Sequence, residues 1–263
     1  MKITIFTSNN LRHNYLVNSI SKIAKELYVI QENNTIFPGK VKSFFSNSFQ
    51  MQKYFNNVTK AQKKIFGNQV LDINKKKIKI LSLHYGDLKF CSLDFLKDFL
   101  KSDIYLVFGA SYIKGPLVNF LIRNKAINIH MGISPYYRGS NCNFWALYDN
   151  NPNLVGATIH YLTSGLDDGK IIYHAISEQV SNPYIYSMST VKSAILSLTK
   201  KLKDKSLLKI KPINQNIKLQ KRYSIQKQFN DNVVKKYMQK KYKKKDFDFK
   251  IFKDYYLLKE SQF

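Results

Sequence analysis

Segments typical of buried β-strands alternate with helical patterns along the first half of the chain. Strand patterns occur at residues 3–7, 28–30, 78–83, 103–108 and 126–130. Helical patterns lie between them, at residues 11–27, 48–66, 93–100 and 117–122. The repeated strand–helix order predicts an α/β fold with an open, mostly parallel, Rossmann-like sheet flanked by helices. In such a sheet, ligands bind beyond the carboxyl ends of the strands.

The second half of the chain departs from this alternation. Two strand patterns, at 155–162 and 171–177, are joined by a turn at residues 167–169, and an amphipathic helix is expected over 188–202. After about residue 206 lysines dominate and strand patterning is poor. We therefore expect one main domain at residues 1–205, followed by a short basic C-terminal extension at 206–263.

The positive charge of the chain admits more than one interpretation. The 263 residues carry a formal charge of +26, and only four of the basic residues are arginines. This charge is compatible with binding to nucleic acid or to an anionic lipid surface. Lysine is abundant together with Asn, Ile, Tyr and Phe, which share AT-rich codons, so we attribute most of the charge to codon bias. The lysines after residue 206 leave two interpretations open, a solvated helix or a contact with an anionic surface.

Several classes of protein are excluded by what the sequence lacks. Two cysteines, Cys91 and Cys142, are too few for a disulfide scaffold or a cysteine-based metal cluster, and we expect no metal site. No apolar run approaches the ~18 residues that span a bilayer, and the N-terminus has the pattern of a strand instead of a signal peptide, so a cytoplasmic location is expected. Neither a G-x-G-x-x-G nor a G-x-S-x-G motif is present, which excludes a dinucleotide fingerprint and a serine nucleophile elbow.

Candidate catalytic residues are concentrated after the strand at 126–130. Asn128 and His130 are two residues apart, so they project from the same face of that strand, near its carboxyl end. Asp167, Asp168 and Gly169 follow in a turn. An amide donor, an imidazole and a carboxylate suit acyl transfer, with the nucleophile supplied by the substrate. Each residue taken alone is compatible with an ordinary structural role.

Four motifs in a fixed order identify a family resemblance. They are Asn-x-His at 128–130, SPYYRG at 134–139, GATIH at 156–160 and Asp-Asp-Gly at 167–169. Together they resemble the folate-dependent formyltransferases, which include glycinamide ribonucleotide, methionyl-tRNA and sugar-nucleotide N-formyltransferases. The resemblance covers roughly residues 103–176 and extends more faintly to the first strand and helix. It departs from the family at Met131 and Gly132, where Pro-Ser is common.

The resemblance implies a role for each catalytic residue. Asn128 would donate its amide to the oxyanion of the tetrahedral intermediate, and His130 would stabilise that charge and assist proton transfer. Asp167 would hold His130 or a water and take the proton of the attacking amine. The neighbouring Asp168 would raise the pKa of Asp167 if both carboxyls were buried.

The resemblance also implies two binding regions. The formyl donor would be 10-formyltetrahydrofolate, whose pteridine would contact two segments, Ala110, Ser111, Tyr112 and Ile113, and Thr163, Ser164, Gly165 and Leu166. The anion of the substrate would meet the first strand–helix loop, at Ser8, Asn9, Asn10, Arg12 and His13. An ordinary exposed helix turn is the alternative for Arg12 and His13.

The size of the C-terminal extension favours one substrate class. Residues 206–263 are too few and too poor in strand patterns for the barrel domain of methionyl-tRNA formyltransferases. We therefore expect residues 1–205 to be the catalytic domain of an enzyme that formylates an amino-sugar nucleotide in surface-polysaccharide synthesis. Methionyl-tRNA is the second candidate substrate, and a catalytically idle nucleic-acid-binding homologue is the third hypothesis. The oligomeric state, a dimer included, stays open.

Overall fold

The structure is a computed structural model, and it describes residues 1–34, 48–71 and 77–263. The turn expected around Pro38 and Gly39 lies outside the described residues. The strands are β1 (Lys2–Ser8), β2 (Glu26–Asn33), β3 (Ile78–His84), β4 (Ile104–Phe108), β5 (Ile127–His130), β6 (Tyr137–Gly139), β7 (Ala157–Tyr161), β8 (Ile171–Ser177), β9 (Arg222–Ser224) and β10 (Tyr256–Leu258). The helices are α1 (Leu11–Ser21), α2 (Phe49–Phe66), α3 (Leu93–Leu96), α4 (Gly115–Arg123), α5 (Cys142–Tyr148), α6 (Pro183–Lys203) and α7 (Asp231–Gln239).

Eight of these strands form one open sheet in the order β10-β8-β7-β5-β4-β1-β2-β3. The pairs from β5 to β3 are parallel, whereas β7 runs antiparallel to both of its neighbours, β5 and β8. The two remaining strands, β6 and β9, form a small parallel pair of their own. The predicted fold class is therefore confirmed, and β8, which is antiparallel to β7, runs in the same direction as β5.

Both faces of the central strands are covered by apolar side chains. Along β1, Ile5 belongs to the apolar cluster formed with α1, α2 and α6. The next residue, Phe6, belongs to the cluster formed with α3 and α4 on the other face. This burial explains why β1 and β4 have continuous apolar sequences instead of alternating ones.

The helix predicted over 188–202 is confirmed as part of α6. Its N-terminus is capped by Asn182, whose side chain accepts hydrogen bonds from the backbone N–H groups of Tyr184 and Ile185. The apolar residues that gave the prediction are all buried: Met188, Val191, Ile195, Leu198 and Leu202. Neither α6 nor any other helix of the described ranges combines the length and apolarity needed to cross a membrane.

The helix predicted over 11–27 is too long at its C-terminal end. α1 ends at Ser21, and Leu27 lies in β2, where it is opposite Ile3 of β1. Leu27 continues the helical spacing only by coincidence, because periodicity does not separate a buried strand residue from one on a buried helix face. The second strand is correspondingly longer than the predicted 28–30.

The C-terminal residues contain more regular structure than their poor strand patterning indicates. β9 pairs with β6, β10 adds an edge strand beside β8, and α7 packs against α2. Within α7, Val234 and Tyr237 are buried, whereas Lys235 and Lys236 are exposed. The lysines of this helix are therefore solvated, and its apolar side chains fix the tail to the rest of the fold.

Candidate active site

Asn128 and His130 stand at the carboxyl end of β5, as expected from the sequence. The antiparallel register between β5 and β7 places Asn128 opposite His160 and His130 opposite Thr158. Residues opposite each other on neighbouring strands share a face, so Asn128, His130 and His160 form one polar group on the sheet. The imidazole rings of His130 and His160 lie 6.3 Å apart, measured between their centroids.

Asp167 completes this group from the turn before β8. Its Oδ2 lies 3.2 Å from Nδ1 of His130 and accepts a hydrogen bond of 3.1 Å from the Gly139 N–H. Its Oδ1 accepts a hydrogen bond of 3.3 Å from Nδ2 of Asn128. The structure thus brings together the three residues predicted to be catalytic, although Asp167 is 37 or more positions from the other two in the sequence.

The backbone of the Asp167 turn is held by the C-terminal tail. Asp167 has a φ of +53°, in the left-handed region that residues other than glycine seldom adopt. Gln215 donates hydrogen bonds from Nε2 to the carbonyl oxygens of Asp167, at 2.8 Å, and Gly169, at 2.9 Å. The strained turn is therefore clamped from outside, which fixes the direction of the carboxylate.

The Asn128 amide is a double donor in this arrangement. Nδ1 of His160 is 2.8 Å from the carbonyl oxygen of Tyr161, which can only accept, so in the neutral ring Nδ1 carries the proton. Nε2 of His160 then accepts a hydrogen bond of 3.0 Å from Asn128. The hydrogen bond to His160 fixes the orientation of the Asn128 amide. The longer hydrogen bond of the amide, to Asp167, is then the one that a substrate oxygen can replace.

The His130 ring lies between two hydrogen-bond acceptors. Nε2 is 3.0 Å from the carbonyl oxygen of Tyr137, and Nδ1 faces Asp167. A neutral imidazole donates to only one of them, whereas an imidazolium donates to both. The ring therefore has an acceptor in place for an additional proton, as proton transfer requires.

The charges of the site are set by burial and by the neighbours of Asp167. Burial alone would raise the pKa of the Asp167 carboxyl, but His130, His160 and the Gly139 N–H outweigh it and lower the pKa to about 2. Burial lowers the pKa of the His130 imidazole below its usual value, and the charge of Asp167 opposes this only in part. At neutral pH the site holds an ionised carboxylate beside a neutral imidazole.

The condition under which Asp168 was expected to raise the pKa of Asp167, burial of both carboxyls, is not met. The Asp168 side chain is 42% exposed, so it does not meet the condition that both carboxyls are buried. Its Oδ1 accepts a hydrogen bond from the Thr163 hydroxyl, and its Oδ2 lies 3.9 Å from Nη2 of Arg138. Water and these partners screen its charge from Asp167.

The charge state of His130 gives a prediction that nuclear magnetic resonance can check. We expect the imidazole to titrate below pH 6.5, because burial disfavours its charged form. In Asp167→Asn the pKa should fall further, since the carboxylate that raises it is gone. The Cε1 proton shift of His130, followed against pH in both proteins, measures this. A pKa above 6.5 in the unmodified chain would contradict the assigned charges.

The two segments predicted to contact the pteridine lie beside each other. The Tyr112 hydroxyl donates a hydrogen bond of 2.8 Å to the carbonyl oxygen of Ser164, and the Tyr112 side chain is 53% exposed. Ile113, in contrast, is buried in the apolar cluster under α4. The remaining predicted residues, Ala110, Ser111, Thr163, Gly165 and Leu166, are partly buried or exposed along the same two segments. Their contact with a pteridine remains a prediction.

A buried carboxylate that sequence reasoning missed holds the first of these segments. Glu32, at the end of β2, is fully buried. Its Oε2 accepts from the Ser111 N–H at 2.6 Å, and its Oε1 accepts from the Ser111 hydroxyl at 2.7 Å and from the Gly86 N–H at 2.9 Å. Glu32 thereby ties together the loops that follow β3 and β4. A lone glutamate at a strand end gives no sequence signal of this role.

A cavity of about 570 Å³ lies beside His130 and receives part of the predicted anion loop. Asn10 and Arg12 line it, together with residues of α2, α5, α6 and α7. Burial lowers the pKa of the Arg12 guanidinium to about 10, and no acidic side chain of the described residues lies within 4 Å of it. Since none of the described residues supplies an acidic partner for this partly buried cation, this end of the cavity suits an anion.

The other members of the predicted anion loop do not line the cavity. His13 is 2% exposed, and its ring packs edge-on against Phe108 at 4.8 Å, between centroids. Asn9 exchanges hydrogen bonds with the backbone of Asn34, and the carbonyl of the buried Ser8 accepts one from Gln31. These three residues shape the loop, which leaves Asn10 and Arg12 as the candidates for contact with an anion.

Three further residues of the site were missed by sequence reasoning. His160 orients Asn128, and its signal was present in the Gly-x-Thr-x-His pattern of residues 156–160. Arg138 donates a hydrogen bond of 2.8 Å to the carbonyl oxygen of Leu166, which joins the 134–139 loop to a predicted pteridine segment. Gln215 lies in the tail, where no motif marks it.

Comparisons with known proteins find similarity to formyltransferases. A family model described as formyl transferase matches residues 102–201, which contain Asn128, His130 and Asp167. A 4-N formyltransferase structure from Francisella tularensis is 21% identical, with a TM-score of 0.51 over 87% of this chain and 77% of that one. The phosphoribosylglycinamide formyltransferase from Anaplasma phagocytophilum is 18% identical, with a TM-score of 0.52 over 80% of this chain and 89% of that one. Glycinamide ribonucleotide transformylase 1 from Symbiobacterium toebii is 15% identical, with a TM-score of 0.50 over 77% of this chain and 86% of that one.

The family match and the structural similarities bear on different parts of the interpretation. The match confirms the resemblance to formyltransferases over residues 102–201. The solved structures, at these low identities, establish the shared fold.

Proposed function

We propose that this protein transfers a formyl group from 10-formyltetrahydrofolate to a primary amine of an amino-sugar nucleotide. The observation that carries the proposal is the convergence of Asn128, His130 and Asp167 next to a cavity lined by Arg12. The match of residues 102–201 to the formyl transferase model supports the reaction class.

The two segments beside the site fit the proposed formyl donor. Tyr112 offers an exposed aromatic face, and the adjacent backbone of 163–166 offers amide and carbonyl groups of the kind that bind a pteridine edge. A Cβ at residue 165 would lie 1.9 Å from Oδ2 of Asp168, so a larger residue there would have to displace the Asp168 side chain. The donor supplies a formyl carbon at the amide oxidation level. The side chains of the protein then have to stabilise the oxyanion and transfer the proton.

Each catalytic side chain has a role that its contacts support. As the amine attacks, negative charge develops on the formyl oxygen. Asn128 is positioned to donate a hydrogen bond to that oxygen from the N–H group that donates to Asp167 in this structure. The new bond joins the formyl carbon to the substrate nitrogen, and the bond to the donor nitrogen breaks. His130, and not Asp167 as the resemblance implies, takes the proton released by the amine, because a carboxylate whose pKa is about 2 is a weak base. The protonated ring donates to Asp167 and to the Tyr137 carbonyl, and the proton then passes to the leaving nitrogen.

The cavity supports a small anionic substrate. Its volume falls within the range of about 300–1,000 Å³ of small-molecule sites. Arg12 provides a positive charge at one part of the wall, and His130 provides the reacting end at another. A nucleotide-linked sugar carries both a phosphate charge for Arg12 and an amine for the site.

Methionyl-tRNA is the second candidate substrate, because the tail carries exposed lysines. Lys235, Lys236, Lys240 and the run 243–245 are all exposed. Such a surface favours a polyanion, and binding through it would weaken steeply as salt rises. The volume of the cavity and the solvated state of these lysines favour the smaller substrate.

One assay tests the proposed function against its alternative. We expect formyl transfer from 10-formyltetrahydrofolate to at least one member of a panel of uridine- and thymidine-diphosphate-linked amino sugars, with weak dependence on salt. Folate release and the mass of the formylated product measure it. Turnover of charged initiator tRNA, without turnover of any amino sugar, would overturn the proposal. The absence of turnover with either substrate would favour the idle homologue.

A further inference from the structure

One wall of the cavity beside His130 is formed by α2, a helix outside the segment that matches the family. α2 contributes Tyr54 and Gln62 to the lining, and the tail helix α7 contributes Tyr237. Tyr54 is the centre of this wall, since its ring contacts five other rings with centroid separations of 5.2 to 5.8 Å. Those rings belong to Phe55, Phe144, Tyr184, Phe229 and Tyr237. The wall is therefore rigid and aromatic, with α7 supporting α2 from behind.

Gln62 introduces an unsatisfied polar atom into this apolar wall. The residue is 4% exposed, and its Oε1 receives no hydrogen bond from any described residue. Leaving a buried acceptor without a donor is destabilising, because the group has lost its hydrogen bonds to water. Because Gln62 lines the cavity, a ligand bound there can supply the missing donor.

Arg12 and Gln62 therefore line the same cavity, and each can be satisfied by a different group of one ligand. Among the described residues, Arg12 has no acidic side chain within 4 Å, and Oε1 of Gln62 has no hydrogen-bond donor. A phosphate satisfies the first, and a hydroxyl or N–H group satisfies the second. The aromatic rings of α2 and α7 offer the apolar surface on which the carbon face of a sugar ring packs.

We propose that α2 selects the substrate, with Gln62 accepting a hydrogen bond from an O–H or N–H group of the sugar while Arg12 pairs with the phosphate. This inference rests on the proposed function and extends it to residues outside the matched segment. Gln62 is then a specificity-determining residue that destabilises the free protein and binds the sugar.

Calorimetric titration of three proteins tests the inference without relying on turnover. UDP carries the phosphate charge but no sugar, and a UDP-linked amino sugar carries both. Arg12→Gln should weaken binding of both probes by about 10²-fold, because a charge-assisted contact is lost. Gln62→Leu should weaken only the amino-sugar probe, by about 10- to 100-fold, and leave UDP within about twofold.

Thermal unfolding distinguishes a role of Gln62 in substrate specificity from a role in the stability of the fold. Gln62→Leu replaces an unsatisfied buried amide by an apolar side chain, so its Tm without ligand should equal or exceed that of the unmodified protein. Gln239→Leu, an exposed change at the end of α7, is the matched control and should alter neither binding nor Tm.

The outcomes distinguish this inference from the proposed function. A lower Tm for Gln62→Leu, or unchanged affinity for the amino-sugar probe, would overturn the inference. An equal loss of UDP affinity would place the contact on the nucleotide and overturn the assignment to the sugar. If the unmodified protein binds the amino-sugar probe but formylates no member of the panel, the proposed function is wrong. The expected differences in affinity between the variants would then still support the inference. Failure to bind either probe would overturn both.

Discussion

Replacing Asn128 by aspartate is expected to lower kcat/KM for formyl transfer by about 10³-fold. Removing one oxyanion donor typically costs about 10²- to 10³-fold. The aspartate also places a second negative charge where Asn128 now donates to Asp167 at 3.3 Å. That charge would oppose the developing oxyanion directly, so this isosteric change should be more harmful than Asn128→Ala.

The Asn128 prediction has a matched control elsewhere in the chain. Asn232 is exposed in the first turn of α7, so Asn232→Asp changes the net charge equally and should leave kcat/KM within about twofold. Steady-state rates at saturating formyl donor measure both variants. If Asn128→Asp retains more than a tenth of the activity while its fold is intact by circular dichroism, Asn128 is not the oxyanion donor.

The second large effect is expected for Asp167→Asn, with a loss of about 10²- to 10³-fold in kcat. The carboxylate now accepts hydrogen bonds at both oxygens, from the Gly139 N–H and the Asn128 amide. An amide in its place turns one of these acceptors into a donor, which would face the N–H of Gly139 or Asn128. The variant also loses the charge that stabilises protonated His130.

Asp168 supplies the comparison for this variant. Asp168→Asn keeps an oxygen that accepts from the Thr163 hydroxyl, and the side chain is partly exposed, so we expect a loss of no more than severalfold. Activity should be measured for both variants from pH 6 to 9. Equal losses at positions 167 and 168 would contradict the assignment of Asp167 as the carboxylate that serves His130.

The sequence was sufficient for the parallel strands from β5 to β3 and for bringing forward three candidate catalytic residues. Buried parallel strands such as β4 produce apolar runs that are readable without a structure. Asn128, His130 and Asp167 were identified because the spacing of two residues on one strand and the order of the later motifs are local properties.

The remaining parts of the site depend on pairings that local patterns do not encode. β6 and β9 have only three residues each, too few for periodicity. Glu32 and Gln215 act through backbone groups of distant loops, which any sequence can supply. The cavity is formed by Arg12, α2 and α7 only when the chain is folded, so Gln62 carries no signal beyond an ordinary polar helix position.

The pairing of β9 with β6 has a consequence for synthesis of the protein on the ribosome. Tyr137 and Gly139 of β6 provide the backbone groups that contact His130 and Asp167, and Gly139 is so close to β9 that a Cβ would lie 2.0 Å from the Ser224 carbonyl oxygen. Because chains emerge N-terminus first, β6 must wait for residues 222–224 before it gains its partner. A nascent chain that stops short of them would carry all three side chains proposed to be catalytic and still lack the strand that pairs with β6.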